Sequence, residues 1–172
     1  LNTWFDPALE RDAAMALMDQ GADVLSFQVA STAVMAAAQE RGKMAVAFHS
    51  DMRKDGPAAQ LMAVPHHWGN YYAARAKAVQ NGSWKAGDFW GGVKDGMVKV
   101  EHFGPKLPQS VRDEVLARQK EMAAGKLQPF QANQADIRDN QGQLRIRKGQ
   151  ALSDAQLLQM DWLVEGVIGS TK

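Results

Sequence analysis

The sequence contains no cysteine, which excludes disulfide frameworks, thiolate metal sites and cysteine nucleophiles together. It has no apolar run approaching the roughly 20 residues of a membrane-spanning helix. It also lacks a glycine-rich phosphate loop with its lysine, a nucleophile elbow and a His-Glu zinc helix. Charge of one sign is missing too. Twenty basic residues oppose nineteen acidic ones for a net charge of +1, and the Lys and Arg are spread along the chain rather than gathered into a stripe that tracks phosphates. Nucleic acid is therefore not an expected partner, and no catalytic residue or cofactor is nominated.

What is present suffices for a core. The chain has 172 residues, 45% of them hydrophobic, a length that favours one domain or one and a fraction. It opens on Leu1-Asn2-Thr3 without a methionine and enters a helix within a few residues, so the expectation is a fragment of a longer protein. Asp6-Pro7 starts that helix with a carboxylate cap and a proline in the first turn, and Gly21 stops it. Leu9, Ala13, Ala16 and Leu17 are expected on its buried face, with Glu10, Arg11 and Asp12 largely opposite. Residues 23–29 read as a buried strand. Ser31 or Thr32 caps the next helix, Gly42 ends it, and Met44-Ala45-Val46-Ala47-Phe48 is the next strand. Residues 60–64 form another, followed by a helix over 68–80 whose face carries Tyr72, Ala76 and Val79.

The order of helices and strands with short links predicts an α/β fold with a doubly wound parallel sheet. Paired glycines in Phe89-Trp90-Gly91-Gly92-Val93 suggest a bend or close backbone approach. A long helix is expected over 109–124, a hairpin over 137–146 and a last helix over 155–167, with Leu158, Trp162 and residues 164–167 in the core. Asp139-Asn140-x-Gly142 lacks the further oxygen ligands of a calcium loop and reads as the hairpin turn.

Ligands of open parallel sheets bind beyond the carboxyl ends of the strands. Residues 28–32, His49-Ser50-Asp51 and His66-His67-Trp68 fall there. Asp51 is placed to accept hydrogen bonds from a ligand, and a turn or helix cap is its other reading. Ser31 and Thr32 can offer hydroxyls and N–H groups to a polar ligand, although capping alone accounts for them. Trp4, Phe27, Trp68 and Trp90 are stacking candidates near strand ends, and core packing explains each taken singly. His49-x-Asp51 and His66-His67 do not make a metal site, because adjacent strand residues point to opposite faces and no third ligand is spaced to complete one.

The motifs Asn2-Thr3-Trp4-Phe5-Asp6-Pro7, Gln20-Gly21-Ala22-Asp23-Val24, His49-Ser50-Asp51-Met52, Trp68-Gly69-Asn70-Tyr71-Tyr72, Phe89-Trp90-Gly91-Gly92-Val93-Lys94-Asp95-Gly96-Met97-Val98, Phe103-Gly104-Pro105 and the closing stretch from Leu152-Ser153-Asp154 to Trp162-Leu163-Val164-Glu165-Gly166 occur in one order across nearly the whole chain. In this the chain resembles the basic membrane protein family, substrate-binding proteins and lipoproteins of ABC importers. The resemblance implies a type I periplasmic-binding fold, two α/β lobes closing on a solute. The chain would be mainly the C-terminal lobe plus hinge segments. Residues 1–64 would form its βαβ units, 65–86 the hinge and a helix packed on the N-terminal lobe, and 87–172 the remainder, with the N-terminal lobe missing.

The resemblance further implies a purine base or nucleoside as solute, a transporter permease as partner, and a place in the periplasm or on a lipid anchor. Asp51 is the implied carboxylate contact; Phe27, Gln28, Ser31 and Thr32 line the cleft and Trp4 is a ring partner. Two departures stand out. Typical nucleoside binders of the family carry Gly-Gly and a hinge lysine where this chain has Ala30-Ser31 and His66-His67. A free base such as adenine or hypoxanthine, or another planar solute, fits these changes, with either histidine bonded to a ring nitrogen. A sensor for the same solute and a purine-processing enzyme are the alternative readings.

Overall fold

The computed structural model describes residues 3–171, so Asn2 at the head of the first motif lies outside the described residues. The chain divides into two units, 1–123 and 124–172. The first opens with α1 (Pro7–Asp19), whose Asp6 cap accepts the Leu9 N–H at 3.1 Å. Its buried face is not the one the apolar pattern predicts. Glu10, Ala14 and Met18 are inside, while Leu9 and Leu17 are half exposed. The cause is polar. The Glu10 carboxylate accepts the N–H groups of Asp6 at 3.0 Å and Ser31 at 3.3 Å and also the Ser31 hydroxyl. A carboxylate with three donors can be buried, and the helix turns to bury it.

Three parallel strands follow, β1 (Val24–Ser26), β2 (Met44–His49) and β3 (Gln60–Pro65), paired in the order β1-β2-β3. The first is shorter than the predicted 23–29 because its ladder ends at Ser26 opposite Val46. Between β1 and β2, α2 (Ala33–Glu40) buries Val34, Met35, Ala37 and Ala38 in one cluster with Leu25, Ala45, Ala47 and Ala63. Three of its four buried side chains are no larger than valine, which lets the helix lie close on the strands. No helix intervenes between β2 and β3, which are joined by turns.

After β3, α3 (Trp68–Gln80) has no buried residue. The chain then returns antiparallel along β3. Ala63 and Glu101 exchange backbone hydrogen bonds of 2.8 and 3.0 Å, the His67 N–H reaches Met97 O at 2.8 Å, and the Gly104 N–H reaches Leu61 O at 2.8 Å. A side chain at Gly104 would collide with the Gln60 carbonyl, so the returning segment can lie this close only with glycine there. The close approach suggested by the paired glycines belongs to Gly91, where a Cβ would strike the Phe89 ring and Met97. The unit ends with α4 (Gln109–Ala123).

The second unit holds an antiparallel hairpin of β4 (Ile137–Arg138) and β5 (Leu144–Ile146), then α5 (Asp154–Leu158). Asp139 knots the turn, with Oδ1 accepting the N–H groups of Gln141 and Gln143 and Oδ2 accepting Arg145 Nε at 2.8 Å. The last helix is far shorter than the predicted 155–167. A Ser153/Gln156 capping box starts it, but residues beyond Leu158 leave it to pair with the hairpin, Asn140 N–H to Leu163 O and Glu165 N–H to Arg138 O. Tertiary hydrogen bonds override a helical pattern here. Leu158, Val164 and Val167, predicted in the core, are exposed, whereas Trp162 packs edge-on to Phe130 at 6.2 Å.

Because Glu10 satisfies two donors of a buried serine, Glu10→Ala should lower stability by about 1–3 kcal/mol, the cost of stranding buried polar groups. Chemical denaturation measures it. An unchanged midpoint would mean that the Ser31 groups find other partners.

Candidate functional site

The carboxyl halves of the three strands surround an open cavity of about 400 Å³ lined by Ser26, Phe27, Gln28, Val46, Ala47, Phe48 and Val64. It forms where β1 stops pairing with β2, and its volume is that of a small-molecule pocket. From Phe48 a series of rings leads outward. His49 lies edge-on at 4.5 Å between centroids, His66 at 5.8 Å, and Trp68 at 6.4 Å from His66. Trp68 stacks on Tyr72 at 5.7 Å, and Tyr71 meets Trp68 at 6.0 Å and Phe89 at 5.0 Å.

A polar chain runs beside these rings. Glu101 Oε1 lies 3.1 Å from both His67 Nε2 and His102 Nε2. The His67 contact does not have the geometry of a hydrogen bond, and the buried Nε2 has no other hydrogen-bond partner among the described residues. His102 Nδ1 is 3.6 Å from Asp51 Oδ2. Arg53 grips Asp51 with Nε at 2.9 and 3.0 Å and Nη2 at 2.6 Å, and its N–H adds a bond of 3.1 Å. Gln60 completes the group, its Nε2 donating to Asp51 Oδ1 at 3.1 Å and to His102 O at 2.7 Å while its Oε1 accepts the Met52 N–H at 2.8 Å. The hydrogen bonds from Arg53 hold the Asp51 carboxyl well below the usual carboxylate range; desolvation opposes them and loses. His49 and His102 have φ of 47° and 54°, a conformation uncommon outside glycine that marks sharp local turns.

The predicted site residues separate into groups. Phe27 and Gln28 line the cavity, and His66 and Trp68 belong to the ring series. Asp51 and His67 belong to the polar chain. The two adjacent histidines, just past the end of β3, thus face different neighbours. Ser31 is buried and its hydroxyl serves Glu10, while the Thr32 hydroxyl donates to Asp55 at 3.1 Å. Trp4 is 78% and Trp90 62% exposed, and the Trp4 carbonyl accepts the Ala30 N–H at 3.0 Å. Sequence reading missed Phe48, Arg53, Gln60, Glu101 and His102. Phe48 was legible as the strand residue preceding the His-Ser-Asp motif. His102 is 51 positions from Asp51 in sequence, and no local pattern announces that contact.

Residues 1–130 match the family model described as ABC transporter substrate-binding protein PnrA-like. The chain belongs to this family. Its parallel α/β unit is of the type I periplasmic-binding kind. It is 40% identical over 167 residues to a purine-binding protein of Brucella abortus, covering 97% of this chain and 47% of that one. A Haloferax volcanii protein named as an ABC transporter glucose-binding protein is 33% identical over 122 residues, 71% of this chain and 31% of its own length. The chain therefore spans less than half of each of these relatives. Two solved structures share the fold. One is a transcriptional activator of the comK gene from Bacillus halodurans, with TM-score 0.66, 21% identity and coverage of 75% of this chain and 46% of that one. The other is an ABC transporter solute-binding protein from Conexibacter woesei, with TM-score 0.59, 16% identity and coverage of 73% and 43%.

In this family member, a carboxyl lowered by its folded-state partners adds stability that is complete above the ordinary Asp value of about 3.9 and is lost as pH falls below it. Arg53→Ala should move the Asp51 carboxyl back toward that value and flatten this part of the acid loss. An NMR titration of the carboxyl carbon reads it, and an unmoved Asp51 would show that Arg53 is not its main partner.

Proposed function

We propose that this chain is mainly the C-terminal lobe, with hinge segments, of the solute-binding component of an ABC importer, and that it forms one wall of a cleft for a purine base or nucleoside. The observation carrying this is the meeting of a ring series with a hydrogen-bonded carboxylate chain at the carboxyl ends of a parallel sheet. Flat rings stack on such a face, and directional donors and acceptors fix the edge of the heterocycle. The 40% identical relative named for purine binding supports the same class. Phe27, Phe48, His66 and Trp68 would offer the faces, Gln28, Asp51 and His67 the polar contacts, with Trp4 and Trp90 at the margin.

The domain reading draws on two facts. An alignment over almost the whole chain covers under half of that relative, and α3 buries none of its residues although Trp68, Tyr72 and Val79 lie on it. Such a helix fits the N-terminal lobe as its missing neighbour. The protein would then bind and release rather than catalyse, outside the cytoplasm, with the closed form recognised by the permease. Among the described residues no helix is long and apolar enough to cross a membrane.

A thermal-shift screen of the full-length protein, stripped of carried-over ligand, tests the reading against adenine, hypoxanthine, adenosine, glucose and amino acids. A ligand at a hundred times its Kd should add about 2.7 kcal/mol, and Asp51→Ala should weaken a purine by about 1–3 kcal/mol through the lost hydrogen-bond partner. A response to glucose alone would transfer the site to sugars, the class named for the 33% identical relative.

A further inference from the structure

Asp51 is the carboxylate assigned to the solute in the proposed cleft, and its oxygens are already occupied. A carboxylate has about four lone-pair positions. Oδ1 takes the Arg53 N–H, Arg53 Nε and Gln60 Nε2, and Oδ2 takes Arg53 Nε and Nη2 with His102 beside it. A solute can bond to Asp51 only if one of these partners leaves, and they differ in what leaving costs. Arg53 is on the surface, with 47% of its side chain exposed, and water can take over its contacts at less cost than those of a buried partner. Gln60 is fully buried. Its amide makes three hydrogen bonds to two segments, the Met52 N–H and the Asp51 carboxylate in the loop after β2 and the His102 carbonyl on the returning segment. Moving it would strand buried donors and acceptors.

We infer that Gln60 is the positioning residue of the solute site, holding Asp51 in its binding orientation, while Arg53 is a stand-in that the solute displaces. The inference rests on the reading of Asp51 as a ligand to the purine. Gln60 touches no solute itself. It joins the loop after β2, the start of β3 and the returning segment at His102, so the carboxylate is aimed by both chain passages flanking β3.

The test is a double-mutant cycle in the full-length protein with adenine and adenosine as probes, read by calorimetry. Gln60→Met should weaken binding roughly tenfold, the scale of a lost hydrogen bond to a charged group, and the loss should disappear in the Asp51→Ala background because Gln60 acts through Asp51. Arg53→Ala should leave binding unchanged or tighter. Gln60→Glu keeps the length and the acceptor for Met52, so it guards against a misfolded Gln60→Met. Its new carboxylate repels Asp51, and burial with that repulsion raises its pKa above the ordinary Glu value, so its binding deficit should shrink as pH falls and the O–H donor returns. A Gln60 loss that adds fully to the Asp51 loss, a pH-independent deficit in Gln60→Glu, or an Arg53→Ala loss as large as that of Gln60→Met would each overturn the inference. If Asp51→Ala binds as well as the unmodified protein, or neither purine binds at all, the underlying reading fails and this inference goes with it.

Discussion

Parallel pairing is the constraint on which the rest of the first unit depends. Strands that run the same way cannot be joined by a two-residue hairpin, so each link must be long enough to travel back to the starting edge before the next strand begins. The chain meets this demand in two ways, with α2 between β1 and β2 and with turns alone between β2 and β3. Either way, every strand ends on the same rim. Phe27 and Gln28 after β1, Phe48 and His49 at the end of β2, and His66 after β3 are gathered there because the direction of pairing leaves no other place for them. The cavity opens there because β1 is paired over only three residues and the rim beyond Ser26 is unfilled.

The rim divides apolar from polar work between neighbouring residues just past the end of β3. His66 turns to the rings of Phe48 and Trp68 while His67 turns to Glu101. Such a division suits a heterocycle, whose faces are apolar and whose edge carries donors and acceptors. It also keeps the polar groups where they meet one another. Arg53, His102 and His67 alternate with Asp51 and Glu101, so each carboxylate has a nitrogen partner within reach.

The elements that could be read from the sequence are those that local chemistry determines. Asp6-Pro7 starts α1, and β2 and α3 lie where their patterns place them. The readings that differ are those decided by a distant partner. Nothing near Glu10 reveals that Ser31 will supply it with two hydrogen bonds, so the apolar pattern of Leu9 and Leu17 points to the wrong face. The pattern of Leu158, Trp162 and Val164 is helical by period, yet the helix stops at Leu158 and the hairpin claims the backbone of residues 163–165. The candidate site shows the same split. Asp51 was legible from its motif, whereas Gln60 looks like an ordinary first residue of a strand until His102 is folded against it.

That return pass also limits how the proposed lobe could move. The segments leaving and re-entering along β3 are tied by backbone hydrogen bonds at Leu61, Ala63, Pro65 and His67. A closing motion through them must bend the two as one ribbon, because sliding one past the other would break the ladder all along its length. Their side chains carry the polar chain from His67 through Glu101 and His102 to Asp51. The carboxylate that would bind solute lies in the loop after β2 and is held by Gln60 and His102 of the ribbon that would bend, so a change in its partners would be felt where closure would occur. In such an arrangement solute binding and lobe movement need no separate relay, since the same side chains take part in both.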